Sequence, residues 1–243
     1  MNPLLEDWTA PFGIPPFGDI ATGHFAPAFE EALRNARASI DAIAGDPEAP
    51  TFSNTIEAME RAERGLDRLA AVFFNVAGAD THDAIEALQR DLSPTLAAHH
   101  AETMMNPALF ARIDALQSRR ADLGLTPEQD RVLTLYHRMF VRAGATLAPA
   151  ERARLKEVLQ RLASLGTAFG QNVLADEQAW TLPLGPDDLV GLPDDLVAAA
   201  AAAATERGLA GHVVTLSRSL VVPFLQSSPR RDLREKAFRA WVA

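Results

Sequence analysis

The chain has 243 residues, of which 48% are hydrophobic and 23% are charged, as is typical of a folded globular protein. Acidic residues outnumber basic residues by 32 to 23, and the resulting net charge of −9 argues against nucleic acid or anionic membranes as partners. The absence of cysteine excludes disulfides and thiolate metal sites. No apolar run is long enough to span a membrane, and the N-terminus lacks a secretory signal pattern, so we expect a cytoplasmic protein.

Residues 1–23 are predicted to form an extended arm that is rich in proline and glycine. Proline fixes φ and removes a hydrogen-bond donor, so the arm should be irregular. Because it also carries many large apolar side chains, we expect it to pack across a helical body. These side chains belong to Trp8, Phe12, Ile14, Phe17 and Ile20.

Residues 24–176 are predicted to form a helical domain, because apolar residues recur with the 3,4 spacing of a helix face. The first helix should begin near Phe25 and end at Gly45. Asn54, followed three residues later by Glu57, indicates the N-cap of a second helix that ends near Gly78.

Three further helices follow in the same domain. The helix that begins near His82 contains Pro94, which should kink or split it. Asn106-Pro107 and Thr126-Pro127-Glu128-Gln129 are N-cap patterns with a first-turn proline, and the second adds a capping-box glutamine. Gly144 should end the helix that the second pattern begins.

A long helix from Pro149 carries a further apolar stripe, from Leu155 to Val173. Gly166 and Gly170 lie inside it, and each lowers the stability of the helix by about 1 kcal/mol relative to alanine. We expect this pair to allow a close helix crossing.

Residues 177–243 are predicted to be a mixed segment of short strands and helices. Residues 179–184 and 212–217 are strand candidates, and they flank an alanine-rich helix that ends at Gly208. Residues 219–226 have no decisive period, and Ser228-Pro229 opens a last helix that continues to the end of the sequence. We therefore expect a mainly α fold: a multi-helix array with an extended N-terminal arm and a small β element near 180–217, cut from a longer protein.

The sequence contains none of the common catalytic motifs: no G-x-S-x-G, no P-loop, no G-x-G-x-x-G and no H-E-x-x-H. The nearest approach to a metal cluster is His99, His100 and Glu102. On a helix, positions 99 and 102 share a face and position 100 points elsewhere, so a site would need a ligand from another element. We interpret these three as surface polar residues near a helix end.

Other candidate groups also have a structural interpretation. His82-Asp83 is interpreted as a helix start, and adjacent acids as first-turn residues or solvated faces, because neighbours on a helix do not face each other. Ser217 and Ser219 lack a nucleophile elbow, although His212 is near in sequence, and the tryptophans are assigned to packing. The acid pairs are Glu30-Glu31, Asp187-Asp188 and Asp194-Asp195, and the tryptophans are Trp8, Trp180 and Trp241. The sequence thus assigns no catalytic, metal-binding or substrate-binding residue.

Several stretches resemble, in the same order, the N-terminal region of bacterial peptidyl-dipeptidases (dipeptidyl carboxypeptidases), which belong to the thimet oligopeptidase and neurolysin group of zinc metallopeptidases. The similarity extends over essentially the whole chain. The stretches that carry it are Asn2-Pro3-Leu4-Leu5, Phe17-Gly18-Asp19-Ile20, His24 to Phe29, Thr51 to Glu57, Val72 to Asn75, Asn106 to Phe110, Phe140 to Ala145, Phe169 to Leu174 and Arg230 to Lys236.

The resemblance implies a neurolysin-like N-terminal region that forms one wall of a deep channel for short, unstructured peptides. Members of this group are much longer, and their H-E-x-x-H and peptide-holding residues lie in a C-terminal catalytic domain outside this sequence. The parent enzyme would use one zinc ion to release dipeptides from free C-termini. This chain alone is then expected to be inactive and zinc-free, with the C-terminal domain as its partner.

A different class of function stays open: a standalone helical module that binds peptides or other proteins without catalysis. The continuation of the reading frame distinguishes the two, since an H-E-x-x-H beyond residue 243 favours the peptidase. In either case a surface left uncovered should associate, so we expect a homodimer or weak oligomer of the isolated chain.

Overall fold

The fold is described from a computed structural model, which covers residues 2–243. The chain divides into two compact units, one ending at Thr167 and the other spanning Ala168–Ala243. The division lies inside a single long helix, and each unit is described separately below. The domain boundaries at 23/24 and 176/177 stay predictions.

The first unit is helical, and together with the small sheet of the second unit it confirms the mainly α fold class. Residues 25–44, 107–118 and 127–143 form helices within one or two residues of the bounds that the sequence predicts. The helices that begin in this unit are α1 (Phe25–Ala44), α2 (Ala58–Ala62), α3 (Arg64–Ala79), α4 (Asp83–Met104), α5 (Pro107–Ser118), α6 (Pro127–Ala143) and α7 (Pro149–Ala179).

Two apolar clusters form the core of this unit, and α1 contributes to both. In the first cluster, the ring of Phe73 on α3 meets Phe25 and Phe29 of α1 edge to face, with centroids 5.1 and 5.6 Å apart. The second cluster joins the C-terminal half of α1 to α5 and α6. Its most buried members are Ile56, Leu109, Ile113, Leu116, Leu133 and Phe140.

The arm packs on the first cluster at its ends but not in its middle. Leu4 is buried in this cluster, and Trp8 and Ile20 pack against it. In contrast, Phe12 is fully exposed, and Ile14 and Phe17 are about half exposed. The expectation that all five large side chains pack is therefore wrong for three of them. The reason is that short 3₁₀ turns, each beginning at or after a proline, hold the middle of the arm.

The second helix also differs from expectation, because Thr51 rather than Asn54 is its N-cap. The Asn54 N–H donates to Thr51 Oγ1 at 3.0 Å, and the Thr51 N–H donates to Asn54 Oδ1 at 2.7 Å. A π-helical segment, Phe52–Glu57, follows. The helix is then interrupted at Glu63, which separates α2 from α3.

Pro94 does not split α4, which continues through it from Asp83 to Met104. Buried residues lie on both sides of the proline, with Leu92 before it and Ala98 and Ala101 after it. Their packing holds the helix together although an interior proline costs about 3 kcal/mol.

The N-caps of α5 and α6 are confirmed in detail. The side chain of Asn106 accepts the backbone N–H groups of Ala108 and Leu109 at 3.0 and 3.1 Å. Thr126 and Gln129 form the reciprocal capping box. Gly144 ends α6 with φ +100°, a conformation that favours glycine.

The long helix α7 forms as predicted, but none of its described residues is buried. Leu162 and Phe169 are 59% and 71% exposed. The close crossing expected at Gly166 and Gly170 is not present in the described chain, because no other atom lies within 4 Å of where their β-carbons would be.

In the second unit, β1 (Thr181–Leu184) and β2 (His212–Thr215) pair antiparallel, with Leu182 opposite Val214. This confirms the predicted β element. The helices are α8 (Asp194–Glu206), α9 (Arg218–Ser227) and α10 (Arg231–Trp241).

Helix α9 was not predicted from the sequence, and its residues Leu220, Val221 and Phe224 are buried. A proline inside the helix and two adjacent buried residues obscure its period. These residues join Leu196 of α8 and Leu233 of α10 in one core. No helix among residues 2–243 is long and apolar enough to cross a membrane.

Candidate functional site

His99, His100 and Glu102 do not come together as a metal site. The expectation that His99 is a surface residue is wrong. Its side chain is 3% exposed, and its Nε2 lies 3.1 and 3.3 Å from the two carboxylate oxygens of Glu63. Helix α4 turns this ring toward the interruption between α2 and α3, so Nε2–H donates to Glu63. His99 thus ties two helices together.

Glu102 and His100 have other surroundings. Glu102 forms ion pairs with Lys156 and, at 3.7 Å, with Arg37, while His100 is exposed. Among residues 2–243, no group of three or more His, Asp or Glu side chains is arranged to hold a metal ion. The described residues therefore do not assemble the zinc-binding group that the resemblance implies for the parent enzyme.

The other paired groups occupy helix starts and turns, as interpreted from the sequence. His82 precedes α4, and Asp83 lies in its first turn. Asp194 and Asp195 lie in the first turn of α8. In each case the carboxylate meets the positive end of the helix dipole.

The remaining acid pairs are structural too. Asp188 accepts the Gly185 N–H at 2.9 Å and forms an ion pair with Arg230. Glu30 is exposed on α1, and its neighbour Glu31 is half-buried.

The serine pair is not arranged as an activated nucleophile. The hydroxyls of Ser217 and Ser219 hydrogen-bond to each other at 2.8 Å at the start of α9. His212 lies on β2 opposite Leu184.

The tryptophans do not all have the same environment. Trp8 lies beneath the guanidinium of Arg68, 4.4 Å from the ring centroid, and donates Nε1–H to the Pro3 carbonyl at 2.9 Å. Trp180 packs against the core of the second unit. Trp241 is 40% exposed, so the packing assignment is wrong for this residue.

A polar cavity of about 200 Å³ that was not predicted from the sequence lies in the first unit. Three carboxylates reach it from α2, from the interruption and from α3, and α4 and α6 supply a histidine and a tyrosine. The three carboxylates are spaced i, i+3 and i+7, which is the spacing of one helix face. This spacing is the sequence signal that could have indicated the cavity. The polar lining comprises Glu60, Glu63, Asp67, His100, Thr103 and Tyr136.

Two groups of the cavity, Asp67 and Tyr136, have shifted pKa values. Partial burial, followed by repulsion from Glu63 and Glu60, raises the pKa of Asp67 above its ordinary value. Tyr136 O–H donates to Glu60, and burial together with this bond raises the pKa of the Tyr136 phenol. Both shifts favour the protonated form of the side chain concerned.

Comparison with known proteins shows relatives along the whole chain. The dipeptidyl carboxypeptidase of Escherichia coli strain K12 is 38% identical over 242 residues, a match that covers 99% of this chain and 36% of that protein. Oligopeptidase A of the same organism is 25% identical over 241 residues, covering 99% of this chain and 35% of that protein. The thimet-like oligopeptidase of Dictyostelium discoideum is 23% identical over 153 residues, or 62% of this chain and 22% of that protein. No protein-family model matches the chain.

These matches show that the chain is homologous to the N-terminal third of dipeptidyl carboxypeptidase and that oligopeptidases are among its further relatives. The resemblance found in the sequence is thereby confirmed. The chain spans about a third of the length of the curated relatives that it matches.

Proposed function

We propose that this chain is the N-terminal, non-catalytic part of a zinc-dependent peptidyl-dipeptidase, and that it forms one wall of the channel that holds the substrate. The observation that carries the proposal is the match of nearly the entire chain to one third of dipeptidyl carboxypeptidase. The substrates would be short, unstructured peptides, from whose C-termini the complete enzyme releases dipeptides. The zinc ion would be bound by the rest of the polypeptide.

The two apolar clusters of the first unit support a wall of fixed shape. α1 joins them, because its N-terminal half belongs to one cluster and its C-terminal half to the other. Close-packed interiors deform little, so helices held in this way can define one side of a channel without supplying a reacting group. The net charge of −9 supports a protein that does not bind nucleic acid.

A chimera tests this function. Residues 1–243 replace the matched N-terminal third of the E. coli dipeptidyl carboxypeptidase, and dipeptide release from a blocked tripeptide is measured after purification. We expect chelator-sensitive release by the chimera and none by the 243-residue chain alone. The remaining two thirds of the E. coli protein, expressed without any N-terminal third, serve as the control.

A chimera that is folded and loaded with zinc but releases no dipeptide would contradict the channel-wall function. That result would favour the alternative, a standalone helical module that binds peptides or proteins. The module also predicts binding of unstructured peptides by the 243-residue chain, which calorimetry with a peptide library would detect.

A further inference from the structure

We propose that the polar cavity of the first unit binds a primary alkylammonium group, the group that free aliphatic amines and lysine side chains share. This site goes beyond the proposed function and does not rest on it, because every residue that lines the cavity lies in the unit that ends at Thr167. The volume of about 200 Å³ exceeds the roughly 150 Å³ that holds benzene in an engineered protein cavity. An aliphatic chain of a few carbons therefore fits.

The charge of the cavity favours a cation. Glu60, Glu63 and Asp67 contribute three carboxylates, and the described residues that line the cavity include no lysine or arginine. Partial burial raises the pKa of Asp67, and repulsion from Glu63 and Glu60 raises it further. A cation among these carboxylates relieves their mutual repulsion, because an opposite charge within about 4–6 Å stabilises the ionised form of a carboxyl group.

Thr103 on α4 provides a second, independent observation. The residue is 6% exposed and lines the cavity, and no group among residues 2–243 forms a hydrogen bond with its hydroxyl. By contrast, the helical threonines Thr95, Thr134 and Thr205 each donate to the carbonyl oxygen four residues earlier. Since a buried hydroxyl normally has a hydrogen-bond partner, Thr103 is suited to accept a hydrogen bond from a ligand in the cavity.

The acceptors in the cavity suit an ammonium better than a guanidinium. They come from three helices, with Glu60 on α2, Asp67 on α3 and Thr103 on α4. An ammonium has three N–H donors that point in different directions, whereas a guanidinium presents its donors in a planar fork that matches a single carboxylate. Glu60 also accepts the Tyr136 O–H, but a carboxylate has about four lone-pair sites and can accept a further bond.

Apolar side chains in the same lining accommodate the carbon chain of the ligand. They are supplied by Ile40 of α1, Met59 of α2 and Met104 of α4. Methionine adapts its shape to apolar groups, and a methylene chain lies on apolar surface while its charged end stays in polar surroundings. A metal ion fits less well, because no group of three or more His, Asp or Glu side chains in the described chain is arranged to hold one.

Tyr136 allows a direct test, because it lines the cavity and is the only tyrosine in the sequence. The 243-residue chain is prepared with isotope-labelled tyrosine, and the ring signal of Tyr136 is followed by NMR at near-neutral pH and low salt while n-pentylamine is added. The uncharged n-pentanol is the matched control ligand. Two blocked tripeptides, one with a central lysine and one with a central arginine, distinguish a peptide side chain from a free amine.

We expect n-pentylamine to shift the Tyr136 signal saturably and n-pentanol to leave it unchanged. Asp67→Asn should weaken binding of the amine by at least about tenfold, because a neutral amide replaces a charged acceptor, and Thr103→Val should weaken it by about threefold. Asp122→Asn is the matched control variant, since Asp122 is exposed and is not part of the cavity lining. It removes the same charge and should leave the affinity unchanged. If Thr103→Val does not fold, the two asparagine variants decide alone.

The two peptides identify the source of the ammonium group. Saturable binding of the lysine peptide alone would assign the site to peptide side chains, binding of the amine alone would assign it to free amines, and binding of both would show that the site accepts either. All three results support the proposal.

Three results would overturn it. The first is the absence of a saturable shift with either the amine or the lysine peptide, and the second is an affinity that Asp67→Asn and Asp122→Asn change equally. The third is tighter binding of the arginine peptide than of the lysine peptide, which would contradict the assignment of an ammonium. None of these measurements depends on dipeptide release by the chimera, so failure of this proposal is distinguishable from failure of the proposed function.

Discussion

The helices α1 and α7 have the same kind of sequence pattern and opposite environments. Both carry large apolar residues at helical spacing. In α1 these residues are buried, and Phe25, Phe29, Leu33 and Ile40 are each no more than 6% exposed. In α7 no described residue is buried. A hydrophobic period therefore predicts a helix and its contact face, but it does not say whether the contacting partner belongs to the same chain.

We expect the largest difference between the two helices when the same leucine-to-alanine substitution is made in each and the free energy of unfolding is compared. Leu33→Ala in α1 removes a side chain that is 6% exposed and should lower the free energy of unfolding by about 2–5 kcal/mol. Leu162→Ala in α7 removes one that is 59% exposed and should change it by no more than about 0.5 kcal/mol. Urea unfolding followed by Trp8 fluorescence, with Trp180 and Trp241 replaced by phenylalanine, measures both. Similar losses for the two variants would mean that α7 is packed within this chain after all.

A second, smaller effect is expected at the end of α6. Gly144→Ala should cost about 1–3 kcal/mol, because alanine is strained in a left-handed conformation. The backbone φ is +100°, and a β-carbon there would lie 2.8 Å from a Leu147 side-chain carbon and 2.9 Å from one of Leu155. Thermal unfolding followed by circular dichroism measures the loss. An unchanged midpoint would show that the turn between α6 and α7 relaxes to accept the new side chain.

The glycines of α7 should behave in the opposite way. Gly166→Ala in the isolated chain should stabilise it by up to about 1 kcal/mol, since alanine is the better helix former and, among residues 2–243, no neighbouring element comes within 4 Å of where its β-carbon would be. The same thermal measurement applies. A destabilisation in the isolated chain would reveal a close contact at this position within the 243 residues.

The smallest effect concerns the polar cavity beneath α1, where the pKa of Asp67 is raised above 3.8. A raised folded pKa means that protonated Asp67 contributes stability below pH 3.8, and that this contribution is lost as the pH rises through the folded pKa. The Asp67→Asn variant cannot lose a proton, so its stability should fall less over this pH range. Urea unfolding at intervals from pH 3 upward should give equal stabilities at pH 3 and a widening advantage for the variant. Parallel curves of stability against pH for the original chain and the variant would contradict a raised pKa of Asp67.

Much of the fold could be predicted from local signals. Thr126 and Gln129 indicated the start of α6 correctly because capping depends on residues within one turn. The start of the second helix was misplaced because Asn54 and Thr51 are both good N-caps, and only the folded turn decides between them. Phe12 was expected to be buried on composition alone, yet a proline turn directs it into solvent. Periodicity gave no signal for α9, because Pro223 interrupts it.

The candidate sites were harder to predict than the helices, because they depend on contacts between distant residues. His99 contacts Glu63, 36 positions earlier in the chain, and the sequence does not indicate this pairing. The cavity around Asp67 combines residues of α2, α3, α4 and α6. The family, in contrast, was recognisable from short ordered stretches, because homology does not depend on knowing which residues touch.

The most direct test of our central claim, that the peptidase chemistry lies outside these 243 residues, is a combined zinc and activity measurement on the purified chain. The chain is dialysed against buffer containing zinc, its metal content is determined, and a blocked tripeptide is supplied as substrate. We predict a folded protein that retains no stoichiometric zinc and releases no dipeptide. One zinc ion per chain together with dipeptide release that a chelator abolishes would contradict the account.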